Sequence, residues 1–395
     1  MQGPRSWLQH PLLLICLAQF SVFLGMNLVN PVLPLYIASF TTSYTLVGLV
    51  LSAFGISRIF IEIPGGRLMD RVGRKPIIIV GYVLVTASHV LAGFAQTALE
   101  LAISRMLLGI GSALILSASR IYVTEISTKD QRLRYLSLFQ GISSIAGIVG
   151  PTLGGFIADT IGIRNNFFIA TFISIMSILL VVNLKTSASP HRATMHPRPS
   201  RSRLLDSVKD PRIIAISAAC FMIFFFYSTI KGTLLPIYSA QVLQLTAFEI
   251  GLVYSLLSAI TVVGLLFFTH QLEIRLGRAT LLPMSLLICA IAIVLVSLAT
   301  DFFTLAAFII PLGIGLSILQ PTPWTMISDY AHPEHRGVTM GVARTIADIG
   351  HLIGPPMVGW LLDLGQPLTA FYIVAGVLSG VSLITYWVFR NKADS

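Results

Sequence analysis

Charged residues are scarce in this chain: Asp, Glu, Lys and Arg together make up 11% of its 395 residues. A typical soluble domain carries about 25%. Hydrophobic residues make up 55%, and the mean hydropathy is +0.85, so a water-soluble globule could not cover the apolar side chains. Disorder needs the opposite composition. The composition therefore excludes a purely cytosolic enzyme and predicts a protein that crosses a membrane many times.

Cysteine is rare as well, and each of the three lies in an apolar stretch (Cys16, Cys220 and Cys289). Their spacing gives neither a disulfide framework nor a metal-ligand cluster, so we interpret them as buried packing residues. The sequence has no nucleotide-binding loop, no Ser/His/Asp arrangement and no large polar domain. We expect no metal and no cofactor, and a chain that is not an enzyme. The missing ATP motif favours secondary transport.

Long apolar runs make up most of the sequence. Each is long enough to cross about 30 Å of hydrocarbon, and helices are expected because lipid cannot satisfy open backbone groups. Continuous runs without ten-residue alternation argue against a β-barrel. The sequence predicts an all-α membrane protein with twelve transmembrane helices, over residues 12–39, 45–65, 76–95, 99–122, 136–160, 166–184, 212–240, 249–269, 279–299, 302–327, 337–361 and 369–389.

Basic residues indicate which side of the membrane each loop faces. With both termini in the cytoplasm, 20 of the 26 Lys and Arg residues fall in cytoplasmic segments and only Arg164 falls on the other side. This distribution follows the positive-inside rule. It also explains the net charge of +10 without nucleic acid, because basic loops face anionic lipid headgroups. We expect a multi-pass protein of the plasma membrane, the inner membrane if the source is bacterial.

The two halves of the chain repeat each other. A shift of 204 residues aligns Gly73 with Gly277, residues 109–111 with 313–315, residues 150–151 with 354–355, and Asp159 with Asp363. A polar stretch rich in Pro, Ser and Arg separates the halves. We therefore predict a six-helix bundle over 1–184, a cytoplasmic linker over 185–211 with room for a short interfacial helix near 204–208, and a six-helix bundle over 212–395. Two parallel six-helix repeats place a polar cavity between them and predict alternating access.

The loop after the second predicted helix, residues 66–75, reads G-R-L-M-D-R-V-G-R-K. It resembles the G-x-L-x-D-R-x-G-R-K signature of the major facilitator superfamily, most like its 12-helix drug:proton antiporters. The second copy, residues 270–278, has Ile274 where the Asp would stand. The glycines predict a tight reversal and a close helix approach. The resemblance implies a gating network in which Asp70 and Arg74 join Glu125 and Asp70 meets the start of helix eleven; loop folding alone is the alternative. The motif residues are Gly66, Asp70, Arg71, Gly73, Arg74 and Lys75.

Further elements extend the resemblance. Residues 105–109 look like the R-x-x-x-G element of helix four, whose arginine is associated with proton transfer in proton-coupled members of the family. Residues 150–155 resemble the end of the drug-antiporter motif of helix five, although Gly147 stands three residues before Gly150 and not four. Tight helix packing through Gly150, Pro151, Gly154 and Gly155 is the alternative interpretation. Residues 30–36 are similar to the first helix of drug exporters, without the acidic residue that many of them carry.

Few charges lie inside the predicted helices, and such residues normally face a cavity or a partner. Arg58 with Glu62, and Arg344 with Asp348, are four residues apart and so share a helix face. We expect Asp348 or Glu62 to bind a coupling proton, with Arg344 and Arg105 as further candidates for the coupling step. A permanent structural ion pair is the alternative.

Substrate contacts are less clearly indicated. Asn27 and Asn30 on helix one, with Tyr227 and Lys231 on helix seven, could line an aromatic and amide-bearing cavity. Lys231 in the middle of an apolar helix needs a partner or a substrate anion. His89 and His351 are expected to be hydrogen-bonded and buried rather than pH sensors.

Three functions compete at this point. The first is proton-coupled export of hydrophobic or amphipathic compounds by alternating access, of the multidrug type. The second is transport of an anionic organic metabolite that uses Lys231 and Arg344. The third, a membrane receptor or enzyme that transports nothing, has no supporting motif. For the first two we expect a monomer in the lipid bilayer that binds a small molecule and no nucleic acid, with H⁺ as the coupling ion.

Overall fold

A computed structural model of the protein describes residues 11–184, 210–331 and 336–390, and leaves out the side chains of Ile63, Arg67, Asp70 and residues 336–338. The described chain forms two compact units. The first comprises the described residues of Met1–Thr42, Leu49–His196 and Thr246–Ser255, and the second those of Ser43–Gly48, Pro197–Leu245 and Leu256–Ser395. Each unit therefore includes a short segment from the other half of the sequence.

Before the linker, the described residues 11–184 form seven helices. They are α1 (Pro11–Val29), α2 (Leu33–Ala38), α3 (Tyr44–Val72), α4 (Arg74–Phe94), α5 (Ala98–Glu125), α6 (Arg132–Ile161) and α7 (Ile163–Val182). The first predicted span, 12–39, is wrong as one continuous helix. It breaks between α1 and α2 because Pro31 cannot donate a backbone hydrogen bond, and the chain turns there before Pro34 opens the next helix.

The sequence after the linker gives the remaining elements. They are α8 (Pro211–Phe226), a π-helical segment (Tyr227–Leu234), α9 (Leu235–Gln241), α10 (Ala247–Gly264), a second π-helical segment (Leu265–Thr269), α11 (His270–Leu276), α12 (Arg278–Ser297), α13 (Phe302–Leu319), α14 (Thr322–Tyr330), α15 (Arg336–Asp363) and α16 (Pro367–Arg390). Asp301 caps α13, because its carboxylate accepts a hydrogen bond from the Thr304 backbone N–H. This hydrogen bond lowers the pKa of the Asp301 carboxyl.

The length and hydropathy of the helices confirm the multi-pass membrane fold. In the described residues, eleven helical stretches are long and apolar enough to cross a membrane. The one predicted span outside this set is the eleventh, 337–361, which is the 28-residue helix α15. A helix rises 1.5 Å per residue, so this length also exceeds the hydrocarbon thickness.

The same helix pairs pack in both units, as a duplicated sequence requires. In the first unit α1 packs against α6 and α7, and α4 against α5 and α7. In the second unit α8 packs against α15 and α16, and α12 against α13 and α16. The core of the first unit centres on fully buried side chains of α1, α4 and α5, including Ile15, Ile78, Tyr82 and Ile115. These cores hold the polar side chains described next.

Candidate functional site

An ion pair inside α15 is the most buried charged site of the second unit. Arg344 Nε lies 3.5 Å from Asp348 Oδ2, one helical turn away. Asp348 has no exposed surface, whereas the Arg344 side chain is 29% exposed. The spacing of four residues predicted this shared face. A buried carboxylate beside a partly accessible guanidinium is an arrangement that can change its protonation and its pairing together.

Aromatic side chains surround this pair. The Arg344 guanidinium lies 4.6 Å from the centre of the Phe224 ring and 5.9 Å from that of Trp324. The edges of Trp324 and His351 meet Phe224 at centroid distances of 6.4 and 5.0 Å. Such contacts attract a cation through the ring quadrupole. They bring α8, α14 and α15 together around one cationic centre and form an aromatic wall.

The π-helical segment Tyr227–Leu234 holds the other predicted cation of the second unit. The ammonium of Lys231 lies 5.5 Å from the centre of the Tyr227 ring. The Gln320 amide, from the break between α13 and α14, donates to the Tyr227 hydroxyl. Single π-helical turns inside α-helices are frequently found at functional sites. The structure thus brings the predicted residues Tyr227 and Lys231 together, and it adds Gln320, which the sequence reasoning missed.

The first unit has its own charged cluster. Arg58 and Glu62 on α3 lie 3.5 Å apart, again as their spacing predicted. The Phe54 ring lies 5.5 Å from the Arg58 guanidinium and 5.0 Å from that of Arg105 on α5. Phe54 therefore contacts two arginines, and the predicted residues Glu62 and Arg105 fall in one neighbourhood of the first unit.

The motif loop contains the Arg74–Glu125 ion pair. Gly73 has a φ of +94°, which an L side chain rarely adopts, and it joins α3 directly to α4. Arg74 then donates to Glu125 Oε1 at 3.0 Å and to the Met69 carbonyl at 2.9 Å, and Lys75 donates to a carbonyl at the end of α7. The gating role of this network stays a prediction.

The structure describes the other predicted residues of this loop only in part. Among the described residues, a Cβ on Gly66 would meet nothing within 4 Å, so a close helix approach at Gly66 stays a prediction. Arg71 lies exposed in the last turn of α3. The side chain of Asp70 is outside the described residues, and so are its contact with helix eleven and the predicted short helix near 204–208.

In the second copy of the motif, a carboxylate at a different position pairs with the arginine. Arg278, the repeat equivalent of Arg74, pairs with both Glu273 and Asp329. Asp329 is the equivalent of Glu125. Ile274 stands where the first copy has Asp70, and Glu273, one residue earlier, provides a carboxylate for Arg278. The signal was present in the sequence as an acid one helical turn before the loop.

Glycines of α6 lie where α1 approaches most closely. A Cβ on Gly154 would stand 1.9 Å from the Leu28 carbonyl oxygen, and one on Gly150 would stand 2.6 Å from the Asn27 Cβ. Asn27 donates its amide to the Phe23 carbonyl in its own helix. Asn30 lies in the break after α1, where its backbone N–H bonds the Met26 carbonyl at 3.1 Å. A role of Asn27 and Asn30 in a cavity stays a prediction.

Asn166 is a buried polar residue that the sequence reasoning missed. It has no exposed surface, and its amide donates to the carbonyls of Leu28 at 3.3 Å and Gly154 at 2.9 Å. One side chain of α7 thereby joins α1 and α6. His89 is buried as expected and lies 3.2 Å from the Ser174 hydroxyl.

Comparison with known proteins places this architecture. The chain is 27% identical to Multidrug resistance protein 2 of Bacillus subtilis (strain 168) over 374 residues, which is 93% of this chain and 92% of that protein. It is 25% identical to Quinolone resistance protein NorA of Staphylococcus aureus (strain COL) over 369 residues, 92% and 93% of the two chains.

Solved structures share the fold at low identity. A peptide transporter matches with a TM-score of 0.80 at 15% identity over 96% of this chain and 94% of its own. A bacterial homologue of the lysosomal transporter Spinster matches with a TM-score of 0.79 at 15% identity over 100% and 99%. The model of the Major Facilitator Superfamily matches residues 15–275 and 234–395. This protein therefore belongs to the Major Facilitator Superfamily of secondary active transporters.

Proposed function

We propose that this transporter exports hydrophobic or amphipathic compounds in exchange for protons. Two relatives that match over nine-tenths of the chain are named for multidrug and quinolone resistance. The observation that carries the proposal is Asp348, a carboxylate without exposed surface, 3.5 Å from the guanidinium of Arg344.

The physical step is a competition for the Asp348 carboxylate. A charge in an apolar interior costs several kcal/mol unless it is paired, so the carboxylate keeps either Arg344 or a proton. Protonation would release Arg344, and its guanidinium, on a side chain that is 29% exposed, would remain against the Phe224 and Trp324 rings. In this way a proton changes the charge that an aromatic wall presents to a substrate.

Glu62 is the second candidate for proton binding. It is paired with Arg58, and Arg105 faces the same Phe54 ring from α5. The Glu62 side chain is 29% exposed, against 1% for Asp348. Because a more accessible carboxylate loses less hydration, Asp348 is the stronger candidate.

We further propose the setting in which this chemistry operates. The positive-inside distribution supports a plasma-membrane protein, bacterial inner membrane included, with both termini in the cytoplasm. Coupling by a carboxylate proton requires no cofactor. The chain would act as a monomer on a small molecule taken from the bilayer, without nucleic acid.

Reconstituted vesicles test the export proposal. Ethidium, a planar amphipathic cation, is the probe, and a pH gradient is the driving force. We expect Asp348→Asn to lose gradient-driven ethidium transport by at least 10-fold, with a smaller loss for Glu62→Gln. Asp301→Asn, at the exposed cap of α13, is the matched control and should transport normally. Full coupling in both Asp348→Asn and Glu62→Gln would contradict the proposal.

A second candidate function rests on the cations of the second unit. Lys231 on the Tyr227 ring and Arg344 on the Phe224 ring each pair a positive charge with an aromatic face, an arrangement that suits an aromatic or carboxylate-bearing organic anion. Lys231→Met should abolish uptake or counterflow of such anions while leaving ethidium export within 2-fold. Loss of ethidium export with no anion transport in the wild type would exclude this alternative.

A further inference from the structure

The last residue of α15 caps the start of α3. Asp363 Oδ1 accepts the Tyr44 N–H at 2.6 Å. Its Oδ2 accepts the Thr45 N–H at 2.9 Å, the Thr45 hydroxyl at 2.6 Å and the Ser43 hydroxyl at 2.9 Å. All four residues belong to the second unit. One carboxylate therefore satisfies two of the free amides that every helix start leaves open, at the end where the helix dipole favours a negative charge.

The equivalent residue of the first unit makes the equivalent contact. Asp159, near the end of α6, accepts the N–H groups of Ala247 and Phe248 at 3.1 and 2.8 Å, in the first turn of α10. Asp159 and Asp363 are related by the 204-residue repeat. Asp159, Ala247 and Phe248 all belong to the first unit.

Glycine brings the backbones into direct contact beside each cap. At four positions the Cβ of any other residue would lie 2.1–2.3 Å from a backbone oxygen of the opposing segment: Gly359 from Tyr44, Gly48 from Pro355, Gly155 from Ala247, and Gly251 from Pro151. We call each cap with its two glycines a dock. The first dock is formed by α6 and α10, and the second by α15 and α3.

Each dock joins parts of the chain that lie in different halves of the sequence. Residues 43–48 precede the linker yet pack in the second unit, and residues 246–255 follow it yet pack in the first. A transporter built from two repeats works by moving one repeat against the other. Contacts that cross from one half of the sequence to the other must then be remade in every cycle.

We propose that Asp159 and Asp363 are paired, reversible latches: they hold the first turns of α10 and α3 in the conformation described, and they release together during transport. Both carboxylates lie at exposed positions, so water can take over the released amides at modest cost. In the first dock, the Thr152–Ser255 hydroxyl hydrogen bond and the edge-to-face pair Phe156–Phe248 would separate together with the cap. Asp301 is exposed too, but it caps a helix of its own half of the sequence, whereas Asp159 and Asp363 each cap a helix from the other half.

Amide hydrogen exchange of the full-length protein in lipid nanodiscs tests this without any substrate. Asp363→Ala should speed exchange in residues 43–48 by about 3- to 30-fold, the range for losing a helix cap. Because the latches release together, exchange in residues 246–251 should also rise. Asp363→Asn, which keeps one acceptor oxygen, should fall between wild type and Asp363→Ala. Asp301→Ala is the control and should affect only its own helix start. An effect of Asp363→Ala confined to residues 43–48 would identify a local cap and overturn the proposal.

A removable cross-link provides the functional arm. A double variant, Ser43→Cys with Asp363→Cys, is joined by a short bis-methanethiosulfonate reagent. The cross-link should lower the rate of ethidium export at least 10-fold, and a reductant should restore that rate. The native cysteines are buried and should not compete. Asp301→Cys with Thr304→Cys is the matched pair within one helix start. Undiminished export by the cross-linked Ser43/Asp363 pair overturns the latch. This arm uses the proposed export activity; if wild type exports no ethidium, that activity fails while the exchange experiment still decides on the latch.

Discussion

The glycines of α6 allow a prediction in which one added methyl group has opposite effects within one helix. A Cβ at Gly154 would lie 1.9 Å from the Leu28 carbonyl oxygen and 2.8 Å from the Leu28 Cα. These are backbone atoms, so no side chain can rotate away. At Gly147, two turns earlier, an added Cβ would meet none of the described residues within 4 Å.

The expected magnitudes follow from helix propensity and packing. Alanine in a helix interior is favoured over glycine by about 0.5–1 kcal/mol, so Gly147→Ala should stabilise slightly. Gly154→Ala gains the same propensity but forces α1 and α6 apart, and overpacking costs about 1–3 kcal/mol. Because close helix contact is a main source of stability within lipid, the loss should exceed the gain. Gly150→Ala should lie between them, since its nearest obstacle is the Asn27 Cβ at 2.6 Å.

Thermal unfolding of the purified variants in one detergent measures this order. We expect Gly147→Ala to unfold at or above the wild-type temperature, Gly150→Ala below it, and Gly154→Ala lowest of all. Retained binding or transport by Gly147→Ala serves as the folding control. If Gly154→Ala unfolds at the wild-type temperature, the close backbone approach of α1 and α6 is not a feature of the folded protein, and the packing argument fails.

Three further predictions concern separate parts of the first unit. Gly73→Ala imposes a φ of +94° on an L residue and should destabilise by about 1–2 kcal/mol, whereas Gly66→Ala should be neutral or slightly stabilising in thermal melts. Asn166→Leu removes two hydrogen bonds to buried carbonyls and should cost about 1–3 kcal/mol by the same assay. Arg74→Glu should impair transport, and adding Glu125→Arg should recover part of it; a double variant as impaired as the additive sum would contradict the ion pair.

Much of the fold was predictable because it depends on hydropathy, which each stretch of sequence carries by itself. Predicted and observed helices agree to within a few residues at most boundaries, for example 166–184 against Ile163–Val182. The break before α2 was not predicted, since the apolar residues on both sides of it read as one span and only Asn30 and Pro31 mark the turn. The π-helical segment at Tyr227–Leu234 was also missed, because it depends on packing around the helix.

The charged pairs show the same division. Arg58 with Glu62 and Arg344 with Asp348 were predictable from spacing alone, because a helix places residues four apart on one face. Contacts between distant elements do not follow from spacing. The Arg74–Glu125 pair was expected only through resemblance to a known family, and the amide bonds of Asn166 were not expected at all.

Comparing the two repeats distinguishes residues that shape the backbone, which occur in both, from charges within the helices, which occur in one. The residues that set backbone geometry recur at the 204-residue offset: Gly73 with Gly277, both at positive φ, and the capping pair Asp159 with Asp363.

The charges inside the helices do not recur. The offset pairs Asp348 with Ser144, Arg344 with Gln140, and Glu62 with Leu266. A duplicated backbone explains why both units share their helix pairing, but it cannot explain charges present in only one of them. Their lack of repeat equivalents, despite the cost of burying each charge, fits the proposed coupling role, in which one proton-binding carboxylate is enough. A permanent structural bridge gives no reason for such asymmetry, and exchanging Ser144 for Asp should therefore not rescue Asp348→Asn.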